Sequence, residues 1–472
     1  MAENNVGRRT EGLLKGMLIY GVGIFGSKMI SFFLLPLNTA NLTPAEYGIT
    51  DMVTVIISLL TPFTTLQLGM TMYKHLLLAN GEKEKSSILS NGFFVNIIFS
   101  AIVSIASYPI FQHYYPDYVV IIASMLFMGG LNTTLLPVSR GMGRGGIYAI
   151  TGCISTVVVV VVNAGIILFT SFRVEAVLLA TLFSNIITVC FMIISLKLWR
   201  YIQIRAINRD TIIRMLKFGI PMIPRDICWW INNSFNRLIL NRAKGDVENG
   251  YFVVTQKFTN LYGNAFSIVS NAWNDSAIAN SGDGDREEYY NNFFRKIFRL
   301  MFCMFLLLLP LIYLCYDWLV DEQYNKAMQY IPLLMMGAVI NQYADLYASV
   351  FLALDRTRDI STTAFLSTVV GAIVGIISIP QWGIWGIGGS VIVASSLMLI
   401  VRAYRVKKYA GICFPVQELW LVILAIVYIL LFKAEWVQIP LLIIACLLSI
   451  YLNKDIIMFS LSYGCRLLKR KR

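Results

Sequence analysis

The sequence predicts an all-α polytopic membrane protein with about fourteen transmembrane helices. The chain has 472 residues, of which 57% are hydrophobic and only 14% charged, whereas soluble domains average about 45–50% apolar and about 25% charged residues. Apolar stretches of 18 or more residues recur along the whole chain, and about 20 helical residues cross the hydrocarbon of a bilayer. Lysine and arginine accumulate on alternate connections between these stretches. These three observations leave almost no room for a soluble domain.

Turn and charge signals between the apolar stretches, such as Asn80-Gly81 and Gln381-Trp382-Gly383, mark the ends of the spans. Residues 1–10 are polar, and the first apolar run lacks the short core and cleavage site of a signal peptide, so we expect none. The fourteen predicted spans cover residues 14–36, 48–72, 88–110, 117–138, 147–171, 175–198, 214–236, 249–271, 294–318, 328–352, 360–380, 383–403, 417–432 and 436–452.

The distribution of positive charge predicts the orientation in the membrane. Of the 39 Lys and Arg residues, 30 fall on the side of the N-terminus, six on the opposite side and three within spans. Cytoplasmic connections carry the excess of such residues, so both termini are predicted to be cytoplasmic. The net charge of +13 therefore reflects topology, and we expect no nucleic-acid partner. The basic tail 456–472 is predicted to lie on anionic membrane lipids.

A weak internal repeat predicts two lobes in parallel orientation. Span 1 opens with Leu14-Lys-Gly-Met-Leu-Ile-Tyr-Gly21 and span 7 with Met215-Leu-Lys-Phe-Gly219, and each has a cation near its middle, Lys28 and Arg225. Six spans separate the copies, so both copies have the same orientation, as in transporters whose substrate site lies between two halves. We predict an N-lobe at 1–210, a C-lobe at 211–410, and an addition at 411–472 comprising spans 13 and 14 and the basic tail.

Cysteine and histidine usage gives no sign of a cofactor. The eight cysteines are scattered without a CxxC pair, and the only two histidines lie near opposite membrane faces, so we predict neither a disulfide framework nor a metal site. The largest connection, about 272–293, is acidic and cytoplasmic and carries no phosphate-binding loop or catalytic triad. An enzyme is therefore disfavoured.

Polar residues form stripes on four of the predicted spans, and the stripe of span 1, which consists of Gly21, Lys28 and Ser31, is the shortest. In spans 8 and 2 they recur at intervals of three and four, which places each set on one helix face. In span 7, Arg225, Asn232 and Asn236 share a face, with Asp226 about 100° away. In span 8 the stripe is Gln256, Asn260, Asn264, Ser267 and Asn271, with Lys257 at its edge; in span 2 it is Asp51, Thr54, Ser58, Thr61 and Thr65.

Each of these residues also has a purely structural interpretation. The Ser/Thr stripe of span 2 is equally typical of hydrogen bonding between helices. Lys28 could snorkel toward the membrane surface, and Arg225 could pair with a neighbouring helix. Asp345 in span 10 is either a cavity carboxylate or close enough to the inner face to be solvated. Lysine and arginine are costly inside a membrane and usually mark function there.

The residues within the spans favour a cationic cavity. The spans contain three cations, Lys28, Arg225 and Lys257, but only one clearly central carboxylate, Asp226. A cavity with an excess of cations suits an anionic substrate. Pro221 and Pro224 are predicted to kink or break span 7, as expected of a helix that bends during transport. Coupling to H⁺ or Na⁺ would use Asp51, Asp226 or Asp345.

Four short motifs occur in order along the chain. They are Leu42-Thr-Pro-Ala-Glu-Tyr47-Gly48, Gln67-Leu-Gly-Met-Thr-Met-Tyr-Lys74, Leu216-Lys-Phe-Gly-Ile-Pro-Met-Ile-Pro224 and Asn236-Arg237-Leu-Ile-Leu240. Together they resemble the polysaccharide repeat-unit flippases (O-antigen and capsule, Wzx-type) of the multidrug/oligosaccharidyl-lipid/polysaccharide (MOP) transporter superfamily. The resemblance covers essentially the whole chain, although Asn236 stands where the family often has Asp and Lys74 where it often has Arg.

The resemblance implies two six-helix lobes in a V-shaped, MATE-like arrangement. It implies export of an isoprenoid-diphosphate-linked oligosaccharide across a bacterial plasma membrane, with a polysaccharide polymerase and chain-length proteins as partners. The diphosphate would bind the cations Lys28, Arg225 and Lys257, and the glycan would face Gln256, Asn260, Asn264 and Asn232. A cation-coupled multidrug exporter of the same superfamily and a lipid II-type flippase are the alternatives.

Overall fold

The computed structural model describes residues 34–79, 81–279, 284–354, 356–432 and 434–454, and every regular element within these ranges is helical. The prediction of an all-α protein is confirmed. The α-helices are α1 Pro44–Thr65, α2 Leu68–Leu78, α3 Glu82–Tyr114, α4 Val119–Gly141, α5 Gly145–Phe169, α6 Val174–Leu196, α7 Arg209–Gly219, α8 Ile223–Ala279, α9 Arg286–Leu319, α10 Asn325–Met328, α11 Ile331–Ala353, α12 Thr357–Trp382, α13 Ile384–Ala410, α14 Trp420–Leu431 and α15 Glu435–Leu452.

The helices have the length and apolarity of a multi-pass membrane protein. Within the described ranges, eight of them are long and apolar enough to cross a bilayer, and two shorter apolar helices follow near the C-terminus. Each predicted span from the second to the fourteenth lies mainly on helical backbone. Only residues 34–36 of the first predicted span are described, and they are helical. About fourteen transmembrane helices is consistent with this structure.

The chain divides into two compact units, residues 40–241 and residues 1–39 with 242–472. In the first unit α4 packs against α1, α2, α3 and α6, and α5 packs against α6. In the second, α13 packs against α11 and α12, and α9 packs against α14 and α15. The seventh predicted span thus belongs to the first unit, up to residue 241. The repeat-based boundaries 1–210, 211–410 and 411–472 stay predictions.

Polar side chains of α3 hold the irregular connection between α6 and α7. Ser90 Oγ donates to the Tyr201 carbonyl at 3.1 Å, and Asn91 Oδ1 accepts from the Asn208 amide at 2.7 Å. Asn208 is in turn the N-cap of α7, accepting from the amide of Asp210. Because backbone groups outside helices need other partners when buried, these bonds fix where α7 begins.

Span 7 ends later than the sequence predicted. Hydropathy placed Arg237, Arg242 and Lys244 in an outside loop, but α8 continues as a helix and its backbone leaves helical values only at Gly245, with φ 82° and ψ −177°. The prediction of a loop at these residues was wrong. Leucine, arginine, alanine and lysine are strong helix formers and make up most of residues 237–244, so the helix continues through the charged positions. We call residues 223–244 the first leg of α8 and residues 246–279 its second leg.

Candidate functional site

Polar contacts join α1 to the first leg of α8 in the unit of residues 40–241. Trp230 donates from Nε1 to the Val55 carbonyl at 3.0 Å and to the Ser58 hydroxyl at 3.1 Å. The amide of Gln67 donates to the carboxylate of Asp226, a predicted coupling residue. We call this line of contacts, with the ion pair described next, the α1–α8 seam.

The outermost contact of the seam is an ion pair between Asp51 and Arg237. Arg237 Nη1 lies 2.9 Å from Asp51 Oδ1, and the two side chains are 18% and 13% exposed, arginine first. The extra helical turns of the first leg of α8 bring Arg237 beside α1. Asp51, predicted to couple ion entry to transport, therefore has its charge balanced by a neighbouring helix.

Helix α1 ends at two residues with left-handed backbone, although neither is glycine. Leu66 has φ 43° and Gln67 has φ 56°, a conformation that costs about 1–2 kcal/mol per residue. The break leaves the carbonyl of Thr64 available, and two side chains of α3 bond to it: Asn96 Nδ2 at 3.2 Å and Ser100 Oγ at 3.3 Å. Packing and these buried hydrogen bonds hold a conformation that local preference opposes.

A second helix break lies against the first. The chain passes from α7 into a 3₁₀ turn at Ile220–Met222 before α8 begins, at the place where Pro221 and Pro224 predicted a kink. A Cβ at Gly219 would lie 2.4 Å from the Leu66 carbonyl oxygen. Only glycine allows this approach, so α7 and the end of α1 are in backbone contact.

The Ser/Thr stripe of span 2 is mostly bonded within its own helix. Thr54, Ser58, Thr61 and Thr65 each donate to a carbonyl three or four residues earlier, at 2.7–3.0 Å. Such back-bonding satisfies the hydroxyls without a partner helix. Ser58 alone of these four also accepts across the seam, from Trp230. The stripe needs no ligand to explain it.

In the other unit, the second leg of α8 has one buried and one less buried side. Thr255, Phe258, Tyr262 and Phe266 are at most 4% exposed. Gln256, Lys257 and Asn264 are half-buried, and Asn260 is exposed. Lys257 forms no ion pair with any residue that the structure describes. The predicted glycan-facing stripe and the predicted cation thus occupy the same side of one helix.

Helix α11 presents amide and carboxylate side chains next to that stripe. Asn341, Gln342 and Asp345 are half-buried and share one face because residues three and four apart are neighbours on a helix. The Gln342 amide nitrogen lies 3.5 Å from where a Cβ of Gly263 would be, which places α11 beside the second leg of α8. We call Gln256, Lys257, Asn260, Asn264, Asn341, Gln342 and Asp345 the polar face.

A buried arginine lies behind the polar face. Arg402 of α13 is 2% exposed, and its Nη1 donates to Asp345 Oδ1 and to the Ala344 carbonyl, both at 2.9 Å. Its Nε donates to the Thr363 hydroxyl at 3.0 Å. The Asp345 side chain is 45% exposed. Asp345 is therefore the accessible end of a charge pair whose other end is enclosed by protein.

Several predicted site residues lie beyond what the structure describes. Lys28 falls outside the described residues, as do the side chains of Arg225 and Asn232. Contact between these three residues and a substrate stays a prediction. Contact between a substrate and Lys257 or the Asn/Gln stripe also stays a prediction. Within the described ranges, no group of three or more His, Cys, Asp or Glu residues could hold a metal ion.

Two candidate site residues, Arg402 and Arg237, were not predicted from the sequence. Arg402 was counted as a cytoplasmic cation because Arg405, Lys407 and Lys408 follow it, and Arg237 was assigned to a loop. A signal for Arg402 does exist: it lies one turn before the charged cluster, within an apolar helix. No signal in a single sequence would pair it with Asp345.

Solved structures with this fold are membrane transporters and a flippase. An inward-closed structure of the lipid II flippase MurJ is similar at TM-score 0.69 and 14% identity, covering 93% of this chain and 100% of that chain. An inward-facing multidrug resistance MATE family transporter of the MOP superfamily gives 0.66 and 14%, covering 84% and 98%. A MOP superfamily transporter from Pyrococcus furiosus gives 0.54 and 15%, covering 85% and 96%. The fold is therefore that of MOP superfamily transporters.

The sequence also matches a known protein family. Residues 13–273, more than half of the chain, match the family described as polysaccharide biosynthesis protein, and the chain belongs to that family. No curated protein sequence matches the chain. Family and fold together confirm the predicted resemblance, because the chain belongs to a polysaccharide biosynthesis family and has the fold of MOP superfamily transporters.

Proposed function

We propose that the chain flips an undecaprenyl-diphosphate-linked oligosaccharide repeat unit from the inner to the outer leaflet of a bacterial plasma membrane by alternating access. Both termini would be cytoplasmic. The product would pass to a polysaccharide polymerase and chain-length proteins that build a surface polysaccharide such as O-antigen, capsule or exopolysaccharide. The observation that carries the proposal is Lys257, a half-buried cation beside the Asn/Gln stripe.

The polar face matches the two chemistries of this substrate. A lysine in a membrane helix costs about 2.5–3.5 kcal/mol on insertion scales, and Lys257 has no described carboxylate partner to offset that cost. A diphosphate would supply the missing counter-charge. The amides of Asn260 and Asn264 both donate and accept hydrogen bonds, as sugar hydroxyls require. The isoprenoid tail would stay in the bilayer.

The same charges argue against a multidrug exporter. Cationic drugs would need available carboxylates, yet Asp51 is paired with Arg237 and Asp345 with Arg402. A lipid II-type flippase would carry the same undecaprenyl diphosphate with a different glycan, so the lipid that accumulates in a deletion strain separates these two alternatives. Coupling to H⁺ or Na⁺ through Asp51, Asp226 or Asp345 stays a prediction.

Deletion and complementation in the native host test the proposal. We expect the deletion strain to lose surface polysaccharide and to accumulate its lipid-linked repeat unit on the cytoplasmic side. Wild-type protein should reverse both effects, and Lys28→Ala, Arg225→Ala and Lys257→Ala should not, although each inserts normally. Lys408→Ala, which removes an exposed lysine near the end of α13, is the matched control. Normal surface polysaccharide in the deletion strain would overturn the proposed function.

A further inference from the structure

We infer that the Asp345 carboxylate accepts hydrogen bonds from hydroxyl groups of the transported glycan, and that the buried Arg402 is the positioning residue that aims it. This assignment rests on the proposed flippase function and deepens it by naming a glycan subsite. It departs from the role predicted from the sequence, where Asp345 was a candidate for ion coupling.

Arg402 holds the carboxylate in one orientation. Its side chain has three bonds in fixed directions, to Asp345 Oδ1, to the Ala344 carbonyl and to the Thr363 hydroxyl. Two of these acceptors lie on α11 and one on α12, so the guanidinium cannot turn without breaking several contacts. Among the described residues, only Arg402 donates to the carboxylate, and it uses one oxygen. The other oxygen belongs to the half-exposed end of the side chain.

The charge of the pair selects the ligand. A cation is disfavoured because the guanidinium lies 2.9 Å from the carboxylate and already balances its charge. An anion such as the diphosphate is repelled by the carboxylate, and it cannot reach Arg402, which is 2% exposed. A neutral hydroxyl donor has neither penalty, and a hydrogen bond to an ionised acceptor is roughly twice as strong as a neutral one.

The surroundings of Asp345 fit a polyol. Asn341 and Gln342 lie one turn away on the same face, and their amides can donate to and accept from further hydroxyls. Gln342 of α11 lies beside Gly263 of α8. Gly263 is six residues after Lys257 in α8, and Asp345 is three residues after Gln342 in α11. The two helices run in the same direction, because Trp273, further along α8, donates to the carbonyl of Leu346, further along α11. At 1.5 Å per residue, the Cα atoms of Lys257 and Asp345 are therefore about 13 Å apart along the helix axes. The diphosphate and the glycan would therefore bind at separate places on the polar face.

Binding of two lipids to the purified full-length protein in nanodiscs tests the assignment. One probe is undecaprenyl diphosphate, which has no glycan; the other is the lipid-linked oligosaccharide extracted from the deletion strain. Asp345→Glu keeps the charge that Arg402 needs but moves the acceptor by one methylene, so the variant should fold. Asp345→Asn and Arg402→Lys extend the series. Asp317→Asn, at an exposed position near the end of α9, is the control.

We expect Asp345→Glu and Asp345→Asn to weaken binding of the lipid-linked oligosaccharide about tenfold or more, with undecaprenyl diphosphate unchanged within about twofold. Arg402→Lys should lower the same selectivity because lysine lacks the fork that joins Asp345 to Thr363. Equal losses for both lipids, or no loss for either, would overturn the glycan subsite. If the wild-type protein binds neither lipid, the proposed function is refuted, and the glycan subsite with it.

Discussion

Arg237 donates a hydrogen bond from Nη1 to Oδ1 of Asp51 over 2.9 Å, from one helix to another, with both side chains less than one-fifth exposed. At such low exposure each charge depends on the other, because an ion left alone in a poorly solvated place is costly. The bond also fixes the register of α1 against the first leg of α8 at the end farthest from the helix breaks at Leu66 and Gly219.

Removing one member of this pair should therefore destabilise the protein. We expect Arg237→Ala or Asp51→Ala to lower the free energy of unfolding by about 2–4 kcal/mol, since each leaves a poorly solvated charge. The double variant should recover part of the loss, with a coupling energy of about 1–3 kcal/mol in a double-mutant cycle. Denaturant unfolding in detergent micelles measures both quantities.

The control for this pair is Arg173→Ala. Arg173 lies 3.8 Å from Glu46, and its side chain is 56% exposed, so the change should cost less than about 1 kcal/mol. Additive losses in the Asp51 and Arg237 double variant would contradict a direct ion pair.

Gly219→Ala should destabilise the contact between α7 and the end of α1. The new Cβ would lie 2.4 Å from the Leu66 carbonyl oxygen and 3.1 Å from the Thr71 hydroxyl, and backbone cannot move aside as a flexible side chain can. We expect a loss of about 1–3 kcal/mol in the free energy of unfolding. Gly165→Ala in α5, where no atom lies within 4 Å, should be neutral or up to about 1 kcal/mol stabilising. Equal behaviour of the two variants would refute the close approach.

Trp230→Phe tests the middle of the α1–α8 seam. Phenylalanine keeps much of the buried ring but loses the donor to Val55 and Ser58, so we expect unfolding to become easier by about 1–3 kcal/mol. Trp318→Phe, at a side chain that is 89% exposed, should change it by less than about 0.5 kcal/mol. A Trp230→Phe variant as stable as wild type would mean that the indole hydrogen bonds contribute nothing.

The sequence predicted the helices well where hydropathy alone decides them. The span predicted at 147–171 is observed as Gly145–Phe169, and that predicted at 175–198 as Val174–Leu196. Hydropathy failed where a helix continues on polar residues, as in the first leg of α8 beyond Asn236. It also missed the break at Leu66 and Gln67, because no glycine or proline stands there and the conformation is held by packing and by two side-chain hydrogen bonds from α3.

The sequence did not predict which side chains of the candidate site pair with each other between helices. Periodicity placed Gln256, Asn260 and Asn264 on one side of a helix, and the structure has them there. The partner of Asp345 is a residue 57 positions away, and its burial depends on how α11, α12 and α13 pack. The pattern of a single sequence does not show how these three helices pack.

The break between the two legs of α8 lies at Gly245, whose backbone has φ 82° and ψ −177°, a region that is almost exclusive to glycine. No atom lies within 4 Å of the position that a Cβ would occupy, so any effect of Gly245→Ala comes from the backbone and not from a clash. We expect a cost of about 1–3 kcal/mol in the free energy of unfolding. Gly245→Asn should be equally costly, since asparagine tolerates the left-handed helical region but not this one. Gly389→Ala, at a helical position with the same open surroundings, should be neutral or slightly stabilising. If Gly245→Ala unfolds like Gly389→Ala, the break between the two legs of α8 does not require glycine.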